Sequence, residues 1–102
     1  MKKENEDQFA VLRKIQSRPE STQRELAKDL GFSLGKLNYC LKALKNKGLI
    51  KINNFRKSNR KFSYIYVLTP RGIKQKLNLT ARFMERKMKE YDELKAEIEK
   101  DQ

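Results

Sequence analysis

TQRELAKDLGFSLGKLNYCLKALKNKG, residues 22–48, contains the most informative pattern of this chain. Thr22 followed by Glu25 forms a capping box, which satisfies backbone N–H groups at the start of a helix. Gly31 permits the left-handed conformation that ends this helix, and Ser33 can cap a second one. Leucines then recur at spacings of three or four: Leu34, Leu37, Leu41 and Leu44. Two short amphipathic helices joined by a tight corner predict a helix-turn-helix.

The segments on either side of this motif add a helix and a hairpin. A first helix is predicted by apolar side chains at helical spacing, Phe9, Leu12 and Ile15. About eight residues precede it, and Pro19 disfavours its continuation. Residues 49–55 and 62–68 are rich in β-branched and aromatic side chains around a polar run, which predicts a hairpin. This order predicts a winged helix-turn-helix domain over residues 1–69, in a mainly α chain with a small β-hairpin.

A long C-terminal helix is predicted over residues 70–102, because Thr69 supplies an N-cap and Pro70 suits the first helical position. Side chains at positions 77, 84, 91 and 98 form a heptad seam. The expected dimerisation residues are Leu77, Met84, Met88, Tyr91, Leu94 and Ile98. Such a helix is about 45 Å long and exceeds what the rest of the chain can cover. A second copy in a coiled-coil-like homodimer is the expected cover, and a helix folded back on its own domain is the alternative.

The charge of the chain lies mainly on its predicted globular part. There are 25 Lys and Arg against 13 Asp and Glu, a formal net charge of +12. Residues 1–72 hold 17 basic and 6 acidic side chains, whereas residues 73–102 hold 8 and 7. Such a field attracts polyanions, and nucleic acid is the expected partner. An anionic membrane surface is the rival, although the basic residues do not follow a helix with a broad apolar face.

Several classes of activity are disfavoured by composition. No window is apolar enough for a signal peptide or a membrane span, so we expect a cytoplasmic protein without membrane contact. One cysteine and no histidine leave no internal disulfide, no ordinary transition-metal site and no triad base. A glycine-rich phosphate loop is also missing from the sequence. The composition therefore favours a binding protein over an enzyme, with no cofactor and no metal.

Three segments resemble a known family: GKLNYCLKALKNKG, LTPRGI and LTARF. They look like the short MarR-family winged-helix regulators associated with exopolysaccharide gene clusters, and the resemblance covers nearly the whole chain. It implies a transcriptional regulator that binds double-stranded DNA, is normally dimeric and places the second helix of the motif in the major groove. Larger members add an N-terminal dimerisation helix and form an effector pocket. Because few residues precede the first predicted helix here, the additional N-terminal helix is not expected. The sequence does not identify an effector.

The second helix of the motif, residues 33–47, is expected to read bases. Its exposed face, opposite the core-facing leucines, would carry Leu34, Gly35, Lys36, Asn38, Tyr39 and Lys42. Asparagine can bond adenine, lysine can donate to guanine, an apolar or aromatic side chain can touch a thymine methyl, and a glycine permits close approach. The alternatives are that Tyr39 closes the core edge, that Lys42 is only solvated and that Gly35 reflects tight packing.

Phosphate contacts are expected from two places. The hairpin tip concentrates cations that suit a minor groove or phosphates: Arg56, Lys57, Asn59, Arg60 and Lys61. The starts of the two helices of the motif present free N–H groups to an anion, with Thr22, Gln23, Arg24 and Ser33. The alternative for the hairpin tip is that its polar residues only keep it solvated. The alternative for the residues at the helix starts is that they only cap the helices.

Cys40 lies among leucines on the second helix of the motif, which predicts partial burial and a thiol pKa that is not lowered. A packing role is therefore favoured over redox sensing. The predicted function is a repressor that blocks polymerase. The alternative is a winged-helix module that binds proteins, or binds nucleic acid without sequence preference.

Overall fold

The computed structural model describes the backbone of residues 3–56 and 62–102, and their side chains except those of residues 54–56 and 62–64. The elements, in chain order, are α1 (Lys3–Ser17), α2 (Gln23–Leu30), α3 (Leu34–Asn46), β1 (Ile50–Arg56), β2 (Phe62–Leu68) and α4 (Pro70–Asp101). This order confirms the mainly α fold, the small hairpin and the long C-terminal helix. No helix in the described part of the chain is long and apolar enough to cross a membrane.

Capping chemistry sets the limits of α2 and α3. The hydroxyl of Thr22 accepts a hydrogen bond from the Glu25 N–H at 3.1 Å, and that of Ser33 accepts one from the Lys36 N–H at 3.1 Å. Gly31, with a φ of 70°, ends α2 in the left-handed conformation. The predicted corner is therefore confirmed. One detail of the capping box differs, because the Glu25 carboxylate accepts from the Thr22 hydroxyl at 3.2 Å.

The start of α1 was predicted wrongly. The helix is already formed at Lys3, several residues before the apolar spacing begins. Tertiary contacts account for the difference, because Gln8 is buried and Asp7 pairs with Lys36 on α3. Acidic side chains in the first turn also favour the positive end of the helix dipole.

One hydrophobic core unites the first three helices, the start of β1 and the near end of α4. Its buried members are Phe9, Val11, Leu12, Ile15, Leu26, Ala27, Leu37, Cys40, Leu41, Leu44, Leu49, Ile50 and Leu79. Leu79 lies on α4, so the first turns of the long helix pack on the winged unit. The division of the chain into domains at residue 69 stays a prediction.

The start of α4 is fastened to the turn before β1. Thr69 donates through its N–H to the carbonyl of Leu49 at 3.0 Å and through its hydroxyl to that of Gly48 at 2.6 Å. The same hydroxyl accepts from the Gly72 N–H at 3.0 Å. A Cβ at Gly72 would lie 1.9 Å from the Leu49 carbonyl oxygen. Only glycine therefore lets the helix approach the turn this closely.

The two strands form an antiparallel hairpin, with a register that runs from Ile50 opposite Leu68 to Arg56 opposite Phe62. The hairpin is thus confirmed at the predicted position. Residues 57–61, which hold the cationic tip, lie outside the described residues.

Candidate nucleic-acid interface

The helix α3 has one buried face and one exposed face. Leu37 and Leu44 are fully buried, and Cys40 and Leu41 are 4% exposed. The predicted core-facing leucines are thus confirmed. On the opposite side lie Leu34, Gly35, Asn38, Tyr39 and Lys42, all exposed, with Tyr39 at 65%. This face is open to a partner, and base reading by these five residues stays a prediction.

Gly35 has open space around it. A Cβ added there would meet only the Ser33 hydroxyl at 4.0 Å, which is ordinary contact. Tight internal packing therefore does not explain the glycine. Since glycine costs a helix about 1 kcal/mol relative to alanine, a reason outside the described chain is favoured. Close approach of a partner to this turn is such a reason.

Lys36 lies at the edge of α3 and differs from the other predicted base readers. Its ammonium is 3.3 Å from a carboxylate oxygen of Asp7 and 4.2 Å from the ring centroid of Phe32. The side chain is thus held against α1 and the corner. Any contact of Lys36 with a base would compete with this pair.

Two adjacent residues of α1 hold the two ends of α3. Asp7 pairs with Lys36 near the start, and the amide oxygen of the buried Gln8 accepts from the ammonium of Lys47 at 2.9 Å, at the C-cap. Neither bond was predicted from the sequence. They join residues 29 or more positions apart, and no local pattern encodes such pairs.

The start of α2 uses most of its polar side chains internally. The Thr22 hydroxyl is bonded to Glu25 in both directions. Gln23 donates through Nε2 to the Tyr66 hydroxyl on β2 at 2.8 Å, whereas Arg24 is exposed. The structure thus places Arg24 where a phosphate could reach it. Phosphate contacts by the residues at these helix starts stay a prediction.

Electrostatics favour an anionic partner for this side of the molecule. The sequence of α3 contains three lysines and no acidic residue. Basic side chains on an exposed helix raise the local concentration of a polyanion. Of the predicted phosphate-binding tip, only the backbone of Arg56 is described, and Lys57, Asn59, Arg60 and Lys61 lie outside the described residues.

Cys40 is buried behind this face. Burial raises the pKa of its thiol, the negative charge of Asp7 raises it further, and Lys36 opposes the shift. The expected absence of a lowered thiol pKa is confirmed. A thiol that stays protonated is a poor nucleophile, so its environment is that of a packing residue.

Comparisons with known proteins agree with this geometry. A family model described as winged helix-turn-helix DNA-binding matches residues 5–51. No curated protein sequence matches the chain.

Three solved structures illustrate the similarity. A MarR family transcription regulator is 26% identical, with a TM-score of 0.70 over 85% of this chain and 56% of that one. A mutant of ZitR from Lactococcus lactis is 25% identical, with a TM-score of 0.66 over 87% and 58%. The transcriptional repressor CouR, bound to a 23-mer DNA duplex, is 27% identical, with a TM-score of 0.60 over 72% and 50%.

The present chain thus spans little more than half the length of these structures. The structural similarity covers 72% to 87% of this chain and so extends beyond the residues that the family model matches. Residues 5–51 therefore match a winged helix-turn-helix DNA-binding family model, and the chain has the fold of MarR family regulators.

Proposed function

We propose that this protein is a transcriptional regulator that binds double-stranded DNA with sequence specificity and acts as a repressor in the cytoplasm. The proposal rests on the observation that α3 has one buried face and one exposed face. Leucines anchor one face in the core, and the other presents Asn38, Tyr39 and Lys42 on a helix without acidic residues. A helix of this kind fits the major groove, where base edges carry a unique pattern of donors and acceptors.

The residues have distinct roles in this proposal. Asn38 and Lys42 bond base edges, Leu34 and Tyr39 contact thymine methyl groups, and Gly35 lets the helix approach the groove. Lys36 contributes to base reading only where its pair with Asp7 opens. The cationic hairpin tip and Arg24 bind phosphates or the minor groove and fix the orientation of the protein.

The proposed active form is a homodimer. Apolar side chains of α4 at Leu77, Met84, Met88, Tyr91, Leu94 and Ile98 are between 59% and 64% exposed. A stripe of this size on a monomer marks an interaction surface. Two copies would present two α3 helices to a roughly palindromic site. The repressor CouR, which has a similar fold, is bound to a 23-mer DNA duplex, and this supports binding of duplex DNA.

The regulated genes are proposed from the resemblance to short MarR-family members. On that basis the target is an exopolysaccharide gene cluster. Transcription from the upstream region of the gene that encodes this chain, with and without added protein, tests the repressor role.

Selection of bound sequences from random duplex DNA tests the main proposal. We expect a single enriched motif with two related halves. Against this motif and a random duplex, Asn38→Ala should lower discrimination, because a base contact is lost. Lys45→Ala, on the same helix near its C-terminus, is the matched control and should leave discrimination unchanged.

A second variant separates base reading from phosphate binding. Arg60→Ala should weaken binding to all duplexes and reduce the salt dependence of the affinity. Equal losses on both duplexes for Asn38→Ala would overturn the assigned roles. If selection enriches no motif, the chain is a non-specific nucleic-acid-binding or protein-binding module.

A further inference from the structure

The helix α4 carries two different stripes along its length. One stripe faces its own winged unit: Leu79 is 4% exposed, and the ring of Phe83 lies 5.7 Å from that of Phe9. Farther along, Arg86 reaches Glu6 at 3.0 Å. The apolar seam at positions 77, 84, 91 and 98 lies on another side of the helix and is between 60% and 64% exposed. The winged unit therefore occupies one side of α4 and leaves the seam uncovered.

The same helix is divided by charge into two halves. Residues 70–89 hold seven basic side chains and one acidic, a net charge of +6. Residues 90–101 hold six acidic side chains and two basic, a net charge of −4. All residues from 84 to 102 are exposed, and among the described residues no side chain of the winged unit forms an ion pair with the acidic half.

These two properties decide how two copies can pair. A parallel pair would place the two net basic halves side by side and the two net acidic halves side by side, so net like charges would face each other in both halves. An antiparallel pair places the acidic half of each helix beside the basic half of the other. Complementary potentials of this kind select one orientation over its alternative.

We propose that two copies of this chain pair their α4 helices antiparallel through the seam. The proposal rests on the homodimer proposed above and specifies its geometry. When positions 77 to 98 of one copy are aligned in the opposite direction with the same positions of the other copy, the centre of the pair lies near Met88. Ile98 then lies beside Leu77 of the partner subunit, and Tyr91 lies beside Met84 of the partner subunit.

This arrangement fixes where the two winged units lie. They occupy opposite ends of the paired helices, with the two α4 starts about 50 Å apart along the axis at ~1.5 Å per residue. The acidic end of each helix reaches the partner's basic first turns, where Lys74 and Lys76 lie.

Site-directed disulfides test the orientation without DNA. In a Cys40→Ala background, Leu77→Cys and Ile98→Cys are made as separate proteins, each with one cysteine and one distinguishable tag. A disulfide requires Cα atoms about 5.5 Å apart. In the antiparallel pair, position 98 of one copy lies about 30 Å from position 98 of the other. Oxidation after mixing is followed by mass spectrometry.

We expect mixed Leu77→Cys and Ile98→Cys proteins to form the cross-linked heterodimer, and neither protein alone to cross-link to itself. Self-cross-linking of Ile98→Cys would show a parallel pair and overturn the proposal. A dimer without the mixed disulfide, or a monomer by sedimentation, would also overturn it. If Leu77→Cys or Ile98→Cys folds poorly, Met84→Cys mixed with Tyr91→Cys gives the same test. Since no step uses DNA, a failure here is distinct from a failure of DNA binding.

Discussion

Gln23 at the start of α2 and Tyr66 on β2 are joined by a hydrogen bond of 2.8 Å from Nε2 to the hydroxyl, across 43 positions of sequence. The ring of Tyr66 also packs against the edge of the core. The bond therefore ties the hairpin to the helix-turn-helix. It helps to set the angle at which the hairpin and α3 would meet DNA together.

Removing this bond should weaken DNA binding more than it weakens the fold. Tyr66→Phe deletes only the hydroxyl and should lower the free energy of unfolding by about 1 kcal/mol or less. DNA affinity should fall as well, because the hairpin is no longer held at its angle. Urea unfolding and fluorescence anisotropy measure the two effects. Gln23→Ala in the Tyr66→Phe background should lower the free energy of unfolding little further, since both variants remove the same bond; fully additive losses of stability would refute the coupling.

Substitution at Gly35 should affect stability and DNA binding in opposite directions. Gly35→Ala should raise the free energy of unfolding by up to about 1 kcal/mol, because alanine favours the helix and meets no close neighbour. The same methyl group should lower DNA affinity if this turn approaches the groove. An unchanged affinity in the stabilised variant would show that the turn does not contact DNA.

Substitution at Gly72, also in the first turn of a helix, should have the opposite effect on stability. The added Cβ would lie 1.9 Å from the carbonyl oxygen of Leu49, which is backbone and cannot simply move aside. Gly72→Ala should therefore lower the free energy of unfolding by roughly 1–3 kcal/mol or more. Thermal or urea unfolding measures the loss, and Gly35→Ala is the matched control. Similar stabilisation by both variants would contradict the close approach.

The buried thiol of Cys40 should make stability depend on alkaline pH. Its pKa is raised above the ordinary value of 9.0 by burial and by Asp7, so the native state holds the proton more tightly than the unfolded state. The contribution is fully present below the unfolded pKa and is lost as pH rises through the folded pKa. Relative to Cys40→Ala, the wild type should lose stability as pH rises beyond 9.0. Parallel pH profiles of urea unfolding for the two proteins would exclude this effect.

The order of the elements follows from local sequence patterns. Caps, helix-ending glycines and apolar spacing act over a few positions of chain, so Thr22, Gly31, Ser33 and Pro70 could be interpreted without coordinates. The exposed seam of α4 was also encoded in a repeat of seven. Contacts of the cationic hairpin tip remain predictions, because residues 57–61 lie outside the described residues.

Which polar residues of the site are engaged within the chain depends on the tertiary structure. The pairs Lys36 with Asp7, Lys47 with Gln8 and Gln23 with Tyr66 join segments far apart in sequence, and they depend on how the helices and hairpin cross. The early start of α1 and the close approach at Gly72 depend on the same packing. Local sequence patterns determine which elements form, whereas the geometry between elements determines which of their side chains remain free to bind a partner.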